Sequence, residues 1–282
     1  MPAKIIDGKK IAQKILDGLK SKIKNLREKP GLALVLAGDN PASEIYINFK
    51  EKTCKEVGFY CERHNLDKNI SEMDLLKLIS GLNQKKEVHG ILVQLPLPKQ
   101  INECLIANSI LPHKDVDGFT SVNLGYLFSG NTILAPATAR ACLRLIESTG
   151  ISIEGKNAVV VGRSEIVGKP TAIMLLERDA TVTICHSRTR DLAEHTKNAE
   201  MLVAAAGKPK LITQDMVKEN AVVIDVGINR LNGKIVGDVD FNGVKEIAGY
   251  ITPVPGGVGP MTIAMLMENT LKAMELSPKN KY

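Results

Sequence analysis

The sequence predicts an α/β fold in two domains, the second of them Rossmann-like with a mostly parallel sheet. Three observations carry this. Short apolar runs of strand length alternate with longer stretches of helical periodicity, the pattern of parallel βαβ units. The stretch Asn157 to Pro170, NAVVVGRSEIVGKP, breaks a run of small and β-branched residues at Gly162 and resumes as a helix after Gly168, the strand, turn and helix order of a dinucleotide site. And 282 residues, 44% of them hydrophobic, are long for one compact core and comfortable for two.

In chain order, Ile11, Ile15, Leu19, Ile23 and Leu26 recur at helical spacing between Asp7 and Glu28, and Pro30 with Gly31 ends that helix. Leu32 to Ala37 reads as a buried strand. Pro41 to Glu56 reads as a helix with its apolar stripe at Ile45, Phe49, Thr53 and Val57, followed by a strand from Phe59 to Leu66. Ser71 with Asp74 three residues on resembles a capping box for the helix that contains LLKLI. Ile91 to Gln94 is a third strand, and the first domain reaches to about Thr120. Pro136 to Thr149 is a helix crossing to the second domain, where Ala158–Val161, Thr181–Ile184, Met201–Ala204 and Val222–Asp225 are short buried strands. A further strand near Tyr250 leads into TPVPGGVGPMT, and a Met-rich helix from Thr262 to Leu276 returns to the first domain before a polar tail, SPKNKY, expected to fray. The predicted domains are therefore 1–120 with 262–282, and 121–261.

Composition narrows the function. A net charge of +6 is spread along the chain, aromatics are only 4%, and no basic run alternates with Phe or Tyr, which argues against a nucleic-acid partner and for anionic small molecules. The five cysteines are odd in number and form no C-x-x-C, and the histidines form no H-E-x-x-H, so neither a disulfide framework nor a metal is expected. No stretch approaches the ~18 apolar residues of a membrane span, and the N-terminus lacks the apolar block of a signal peptide. A reducing cytoplasm is the expected compartment.

The glycine turn has only Gly162 and Gly168 where the usual fingerprint has three glycines. About 20 residues past such a turn, NAD-binding units carry an acid for the ribose 2′-hydroxyl. Here the sequence reads Cys185, His186, Ser187, Arg188. Without an acid to repel a 2′-phosphate, and with Ser187, Arg188 and Arg163 to receive one, the pattern favours NADP over NAD. Taken singly, Arg163 as a solvated turn residue and Arg188 as a loop charge are equally good readings.

Four other features bear on chemistry. Tyr46 and Lys50 are four apart, on one face of the second helix, as a working pair or as a half-buried tyrosine beside a snorkelling lysine. Gln94 stands at the carboxyl end of a parallel strand, where α/β folds bind ligands, on backbone stiffened by Pro96 and Pro98. Asp117 before Gly118 is a turn signature first. Pro253 to Pro260, with Gly256, Gly257 and Gly259, reads as a close-approach loop leading into a helix or as a plain interdomain turn.

The segments SEIYINFKEKTCKEVG, VQLPLP, KDVDGF, VGRSEIVGKP and TPVPGGVGPMT, in this order, resemble the bifunctional methylenetetrahydrofolate dehydrogenase/methenyltetrahydrofolate cyclohydrolase family over nearly the whole chain. The resemblance implies two α/β domains flanking a cleft, folate on the first, NADP on the second, and a homodimer formed through the second. It assigns catalysis to Lys50, Tyr46, Gln94 and Asp117. Folate contacts fall to Tyr46, Gln94, Asp117, Pro255, Gly256 and Gly257, and cofactor contacts to Gly162, Arg163, Ser164, Ile166, Gly168, Ser187 and Arg188. One segment departs: the family commonly reads P-C-T-P-x-G where this chain has Pro136, Ala137, Thr138, Ala139, Arg140 and Ala141, and Arg140 has no evident role. A dehydrogenase without cyclohydrolase activity is the alternative reading, and a shikimate-type dehydrogenase, in which VQLPLP has no role, is a further rival.

Overall fold

The computed structural model describes residues 2–277; the end of the SPKNKY tail, from 278, lies outside them. In chain order the elements are β1 (Lys4–Ile5), α1 (Gly8–Lys24), β2 (Gly31–Ala37), α2 (Pro41–Val57), β3 (Tyr60–Leu66), α3 (Glu72–Gln84), β4 (Gly90–Val93), α4 (Glu103–Ser109), α5 (Ser121–Phe128) and α6 (Ala137–Glu147). There follow β5 (Asn157–Val161), α7 (Gly168–Leu176), β6 (Thr181–Cys185), α8 (Leu192–Thr196), β7 (Met201–Ala204), β8 (Val222–Asp225), β9 (Asn229–Leu231), β10 (Lys234–Val236), α9 (Phe241–Val244), β11 (Tyr250–Ile251) and α10 (Val258–Leu276). They form two compact units, Lys14–Ala137 with Leu266–Tyr282, and Met1–Gln13 with Thr138–Met265.

The first of these units is built on a three-stranded parallel sheet ordered β3-β2-β4. β2, GLALVLA, is buried at all seven positions, which is why it reads as an unbroken apolar run rather than an alternating one. Ala33, Val35 and Ala37 pack with Leu75, Ile79 and Leu82 of α3 and with Ile106 of α4. Because the strands are parallel, Ala37, Leu66 and Val93 all finish at one edge of the sheet, and the chain after that edge carries Gln94.

α2 begins at Asn40, whose side chain accepts from the backbone N–H groups of Ala42 and Ser43, and ends at Gly58, in the left-handed region at φ 89°. Its buried face differs from the expected stripe. Val57 of that stripe is buried, but Ile45 and Phe49 are 46% and 52% exposed, and Ser43, Ile47 and Cys54 are buried in their place. Small residues at 43 and 54 mark the face laid on the sheet, a contact that a hydrophobic count does not register. In this register Lys50 falls between Ile47 and Cys54, on the inward face. The start of α3 follows expectation with one change of detail: Ser71 Oγ accepts from the Asp74 N–H at 3.1 Å, and the Asp74 carboxylate accepts from that hydroxyl at 2.7 Å rather than from the Ser71 amide.

The other unit holds a six-stranded, all-parallel sheet ordered β1-β11-β8-β7-β5-β6. From β5 the chain builds β6 on one side and then returns to place β7 on the other, so the order reverses at β5. Val161, Leu202, Ala204 and Val223 lie in its core. β1 pairs with β11, Lys4 opposite Tyr250, which puts the first residues of the chain in this unit instead of the domain expected from 1–120. Conversely, residues 121–137 group with the three-stranded unit, and the division at the far end falls inside α10, after Met265. An unexpected hairpin, β9 with β10, turns through Asn232 (φ 51°) and Gly233 (φ 76°).

Candidate active site

In the three-stranded unit the inward face of α2 meets the chain leaving β4. Lys50 Nζ donates to Gln94 Oε1 at 3.0 Å, and Gln94 Nε2 donates to the Leu95 carbonyl at 2.8 Å. The second bond orients the amide, since its NH2 is spent on the backbone and its oxygen is left for the lysine. Ser43 Oγ donates to the same Leu95 carbonyl at 3.3 Å, tying the start of α2 to this loop; sequence reasoning had not singled it out. Burial of the amine lowers the Lys50 pKa below its ordinary 10.5, and the Asp117 carboxylate opposes that shift. Burial in turn raises Asp117 above 3.8, with Lys50 pulling it down and Asp115 pushing it up. The two groups feel each other's charge without forming an ion pair within 4.0 Å, and Asp117 accepts no hydrogen bond among the described residues. Tyr46, one turn before Lys50, is half-buried, which raises its phenol. Tyr46, Lys50, Gln94 and Asp117 thus belong to one unit. A neutral hydrogen-bond acceptor holds the lysine, and a carboxylate is left free to accept from a ligand.

In the six-stranded unit the turn after β5 is built for close approach. Gly162 has φ 138°, a Cβ there would collide with the Ala205 carbonyl after β7, and a Cβ at Gly168 would collide with the Gly162 carbonyl. Ser164 Oγ accepts from the N–H groups of Val167 and Gly168, both at 3.2 Å, so this oxygen caps the start of α7. Arg163 and Ile166 are exposed on the turn. After β6 the chain closes a second turn: His186 N–H donates to Thr189 Oγ1 at 2.8 Å, and Arg188 N–H donates to His186 Nδ1 at 3.1 Å. Ser187 and Arg188 sit exposed at its tip, and no acid precedes Asp191. The Pro255–Gly257 loop belongs to this unit too, where the Gly256 carbonyl accepts from Lys9 N–H at 3.0 Å.

The sequence model described as tetrahydrofolate dehydrogenase/cyclohydrolase, catalytic domain, matches residues 6–117, and the one described as the NAD(P)-binding domain of the same enzymes matches residues 136–278. The chain belongs to this family. It is 56% identical to the bifunctional protein FolD of Moorella thermoacetica over 277 residues, 97% of this chain and 99% of the relative. The crystal structure of the bifunctional enzyme FolD of Campylobacter jejuni superposes with a TM-score of 0.95 at 49% identity, covering 97% of this chain and 99% of that one. The methylenetetrahydrofolate dehydrogenase-cyclohydrolase of Trypanosoma brucei, solved with NADP cofactor and an inhibitor, gives a TM-score of 0.94 at 36% identity over 98% and 99% of the two chains.

Against this family background the departing segment acquires a structural account. Ala137, Ala139 and Ala141 are all buried, and Thr138 Oγ1 stands 3.5 Å from Thr262 Oγ1 of α10. Arg140, without an evident role in the sequence, donates through Nη1 to the Met265 carbonyl at 3.3 Å. Two further residues escaped the sequence reading. Asp238 Oδ2 accepts from the N–H groups of Ala206 (2.6 Å) and Gly207 (2.8 Å), shaping the loop after β7. Asp225 accepts from Gly227, Asp238 and Val239, and burial raises its pKa to about 6 despite those three bonds. The only signal for either was an acid at the end of an apolar strand or beside a glycine.

Gly162→Ala tests the close approach directly. NADPH binding, followed by the cofactor's fluorescence, should weaken by about tenfold or more, since the added methyl must displace backbone. Far-UV circular dichroism should remain that of the parent.

Proposed function

We propose that the chain oxidises 5,10-methylenetetrahydrofolate to 5,10-methenyltetrahydrofolate with NADP and hydrolyses that product to 10-formyltetrahydrofolate, with Lys50 handling the proton of the hydrolysis. The observation that carries this reading is the 3.0 Å bond from an amine of lowered pKa to a neutral amide oxygen. Removing a hydride from the one-carbon bridge needs no strong base, because the folate nitrogens absorb the positive charge. Bound NADP supplies the hydride acceptor. The protein's part in that step is positioning, and Asp117, with no donor among the described residues, is free to accept two hydrogen bonds from the amide edge of the pterin.

Hydrolysis does need proton transfer. Water adds to the methenyl carbon and gives one proton to neutral Lys50; the resulting ammonium returns it to the ring nitrogen as its C–N bond breaks, and the remaining hydroxyl proton passes to solvent as the formyl C=O forms, discharging the substrate's positive charge. Burial supplies the neutral amine, and the cationic substrate adds to that effect. Gln94 holds the amine in both protonation states, since an amide oxygen accepts equally from NH2 and NH3+. Tyr46 packs beside the substrate. A dehydrogenase lacking cyclohydrolase activity would have no use for this arrangement, and accumulation of the methenyl product would reveal one.

On the cofactor side, Gly162, Arg163, Ser164, Ile166 and Gly168 form the phosphate-facing turn. Arg163, Ser187 and Arg188 receive the 2′-phosphate, a reading supported by the lack of an acid from Cys185 to Arg190 and by the NADP in the Trypanosoma relative. Pro255, Gly256 and Gly257 complete the folate contacts. A homodimer through the dinucleotide-binding domain is supported by β6, an edge strand with Thr181, Thr183 and Ile184 exposed, and by Leu176 beside it at 60% exposure. The five unpaired thiols suit a reducing compartment such as the cytoplasm.

Three outcomes are expected. Lys50→Met abolishes hydrolysis and leaves measurable hydride transfer, and in the parent the hydrolysis rate climbs with pH through the Lys50 pKa, below 10.5, because the neutral amine is the active form. Equal loss of both activities in that variant would reduce Lys50 to a folate contact. Arg163→Ala should shift the ratio of kcat/KM for NADP over NAD toward NAD by about tenfold; an unchanged ratio removes Arg163 from the cofactor site. By light scattering, the parent should show twice the chain mass and Leu176→Asp a lower one, and a monomeric parent would end the dimer proposal.

A further inference from the structure

The sequence KDVDGF carries two aspartates two residues apart, and they differ completely in surroundings. Asp115 is 2% exposed and fully engaged. Its Oδ1 accepts from the N–H groups of Gly118 (2.9 Å) and Phe119 (3.1 Å), and its Oδ2 accepts from Thr120 N–H (2.8 Å) and Asn123 Nδ2 (2.9 Å). Asp117, enclosed by the turn that these bonds close, accepts nothing among the described residues. No hydrogen bond holds its side chain, so the backbone of the turn decides where it starts, and Asp115 shapes that backbone.

We propose that Asp115 is a positioning residue for folate, acting through Asp117 by locking the 115–120 turn. The inference rests on the reading of Asp117 as the pterin contact. Three further observations give the turn a fixed frame. Asn123 Nδ2 also donates to the Pro112 carbonyl at 2.8 Å, so the residue bonded to Asp115 is itself anchored. Asn269 of α10 donates to the carbonyls of Val116 (2.8 Å) and Ala135 (2.9 Å), clamping the residue between the two aspartates. Gly118, at φ 72°, lies so close to the Ala135–Pro136 peptide that a Cβ would stand 2.6 Å from it. The turn is also referred to the strand that delivers Gln94, because Ile91 of β4 bridges Asp115 in parallel register. Gln94 and Asp117 thus leave neighbouring backbone segments a few residues beyond a shared bridge.

Only a carboxylate fits this role. Four converging N–H groups require four acceptor sites, and an asparagine at 115 would turn an NH2 group toward two of them. The displaced turn would then aim Asp117 elsewhere while the sheet beneath stays in place.

The test compares Asp115→Asn, Asp117→Ala and the double variant in the full-length enzyme. Asp115→Asn should raise the KM for methylenetetrahydrofolate and for the methenyl substrate by about tenfold or more, with the KM for NADP within about twofold of the parent. Added to Asp117→Ala it should raise the folate KM no further, because it acts through a side chain already gone, while lowering Tm equally in both backgrounds. A residue that only stabilises the fold would raise KM by the same factor in either background, and that result overturns the proposal, as does an unchanged folate KM in Asp115→Asn. If Asp115→Asn does not fold, Asn123→Ala removes one of the four donors and should show a smaller rise that likewise vanishes in the Asp117→Ala background. A normal folate KM in Asp117→Ala defeats the underlying reading and this inference with it; a raised one beside a normal Asp115→Asn defeats the inference alone.

Discussion

The hydrogen bond from Lys50 to the Gln94 amide oxygen constrains everything around it, because the proposed proton transfer asks for an amine that a carboxylate does not hold in its charged form. A glutamate in place of Gln94 would stabilise the ammonium and return the pKa toward or above its ordinary range. A neutral oxygen supports both states. For the amide to present its oxygen, its NH2 must be occupied, which the Leu95 carbonyl achieves at 2.8 Å. For the lysine to be buried at all, α2 must turn this position inward, and it does so with Ser43, Ile47, Cys54 and Val57 on its buried face. The charge nearest the amine, Asp117, opposes burial without cancelling it.

The six-stranded unit answers a different demand, that of bringing backbone close to a phosphate-bearing ligand. Gly162 permits the loops after β5 and β7 to touch, and Asp238 gathers the N–H groups of Ala206 and Gly207 so that the second of those loops holds its shape. Nothing in this unit identifies a reaction. The turn suits a dinucleotide, the proposed selection between cofactors rests on the exposed Arg163, Ser187 and Arg188, and the proposed chemistry rests on residues of the three-stranded unit.

Much of this was legible in the sequence where hydrophobic pattern and strand position coincide. β2 is an unbroken apolar run because both faces are covered, and Gln94 could be placed at a strand end because LPLP prevents the strand from continuing. Tyr46 and Lys50 share a face by spacing alone. What escaped has physical causes. The apolar residues Ile45 and Phe49 suggested a buried stripe, but the helix buries Ser43, Ile47 and Cys54 with Val57, so it is rotated from the expected register. The two-residue β1 is too short for any periodicity, and only its pairing with β11 shows that the chain's start belongs to the dinucleotide unit. The hairpin through Asn232 and Gly233 does carry a local signal, since Asn-Gly between two short strands favours a type I′ turn. Arg140 acquires its partner, the Met265 carbonyl, from 125 residues away.

The buried aspartates show why the divided roles in KDVDGF could not have been read from residue type. Asp115, Asp225 and Asp238 each lie at 3% exposure or less, and each accepts two or more backbone N–H groups. All three serve loop amides that no ladder satisfies: Asp225 ends the parallel strand β8, Asp238 accepts from the loop after β7, and Asp115 accepts from its own turn. A carboxylate is the most compact group offering four acceptor sites, so such loops select aspartate for reasons unrelated to any ligand. An acid at a strand end is therefore ambiguous until its donors are counted. Asp115 has four and Asp117 has none among the described residues, and of the two only Asp117 has acceptor sites left for a ligand.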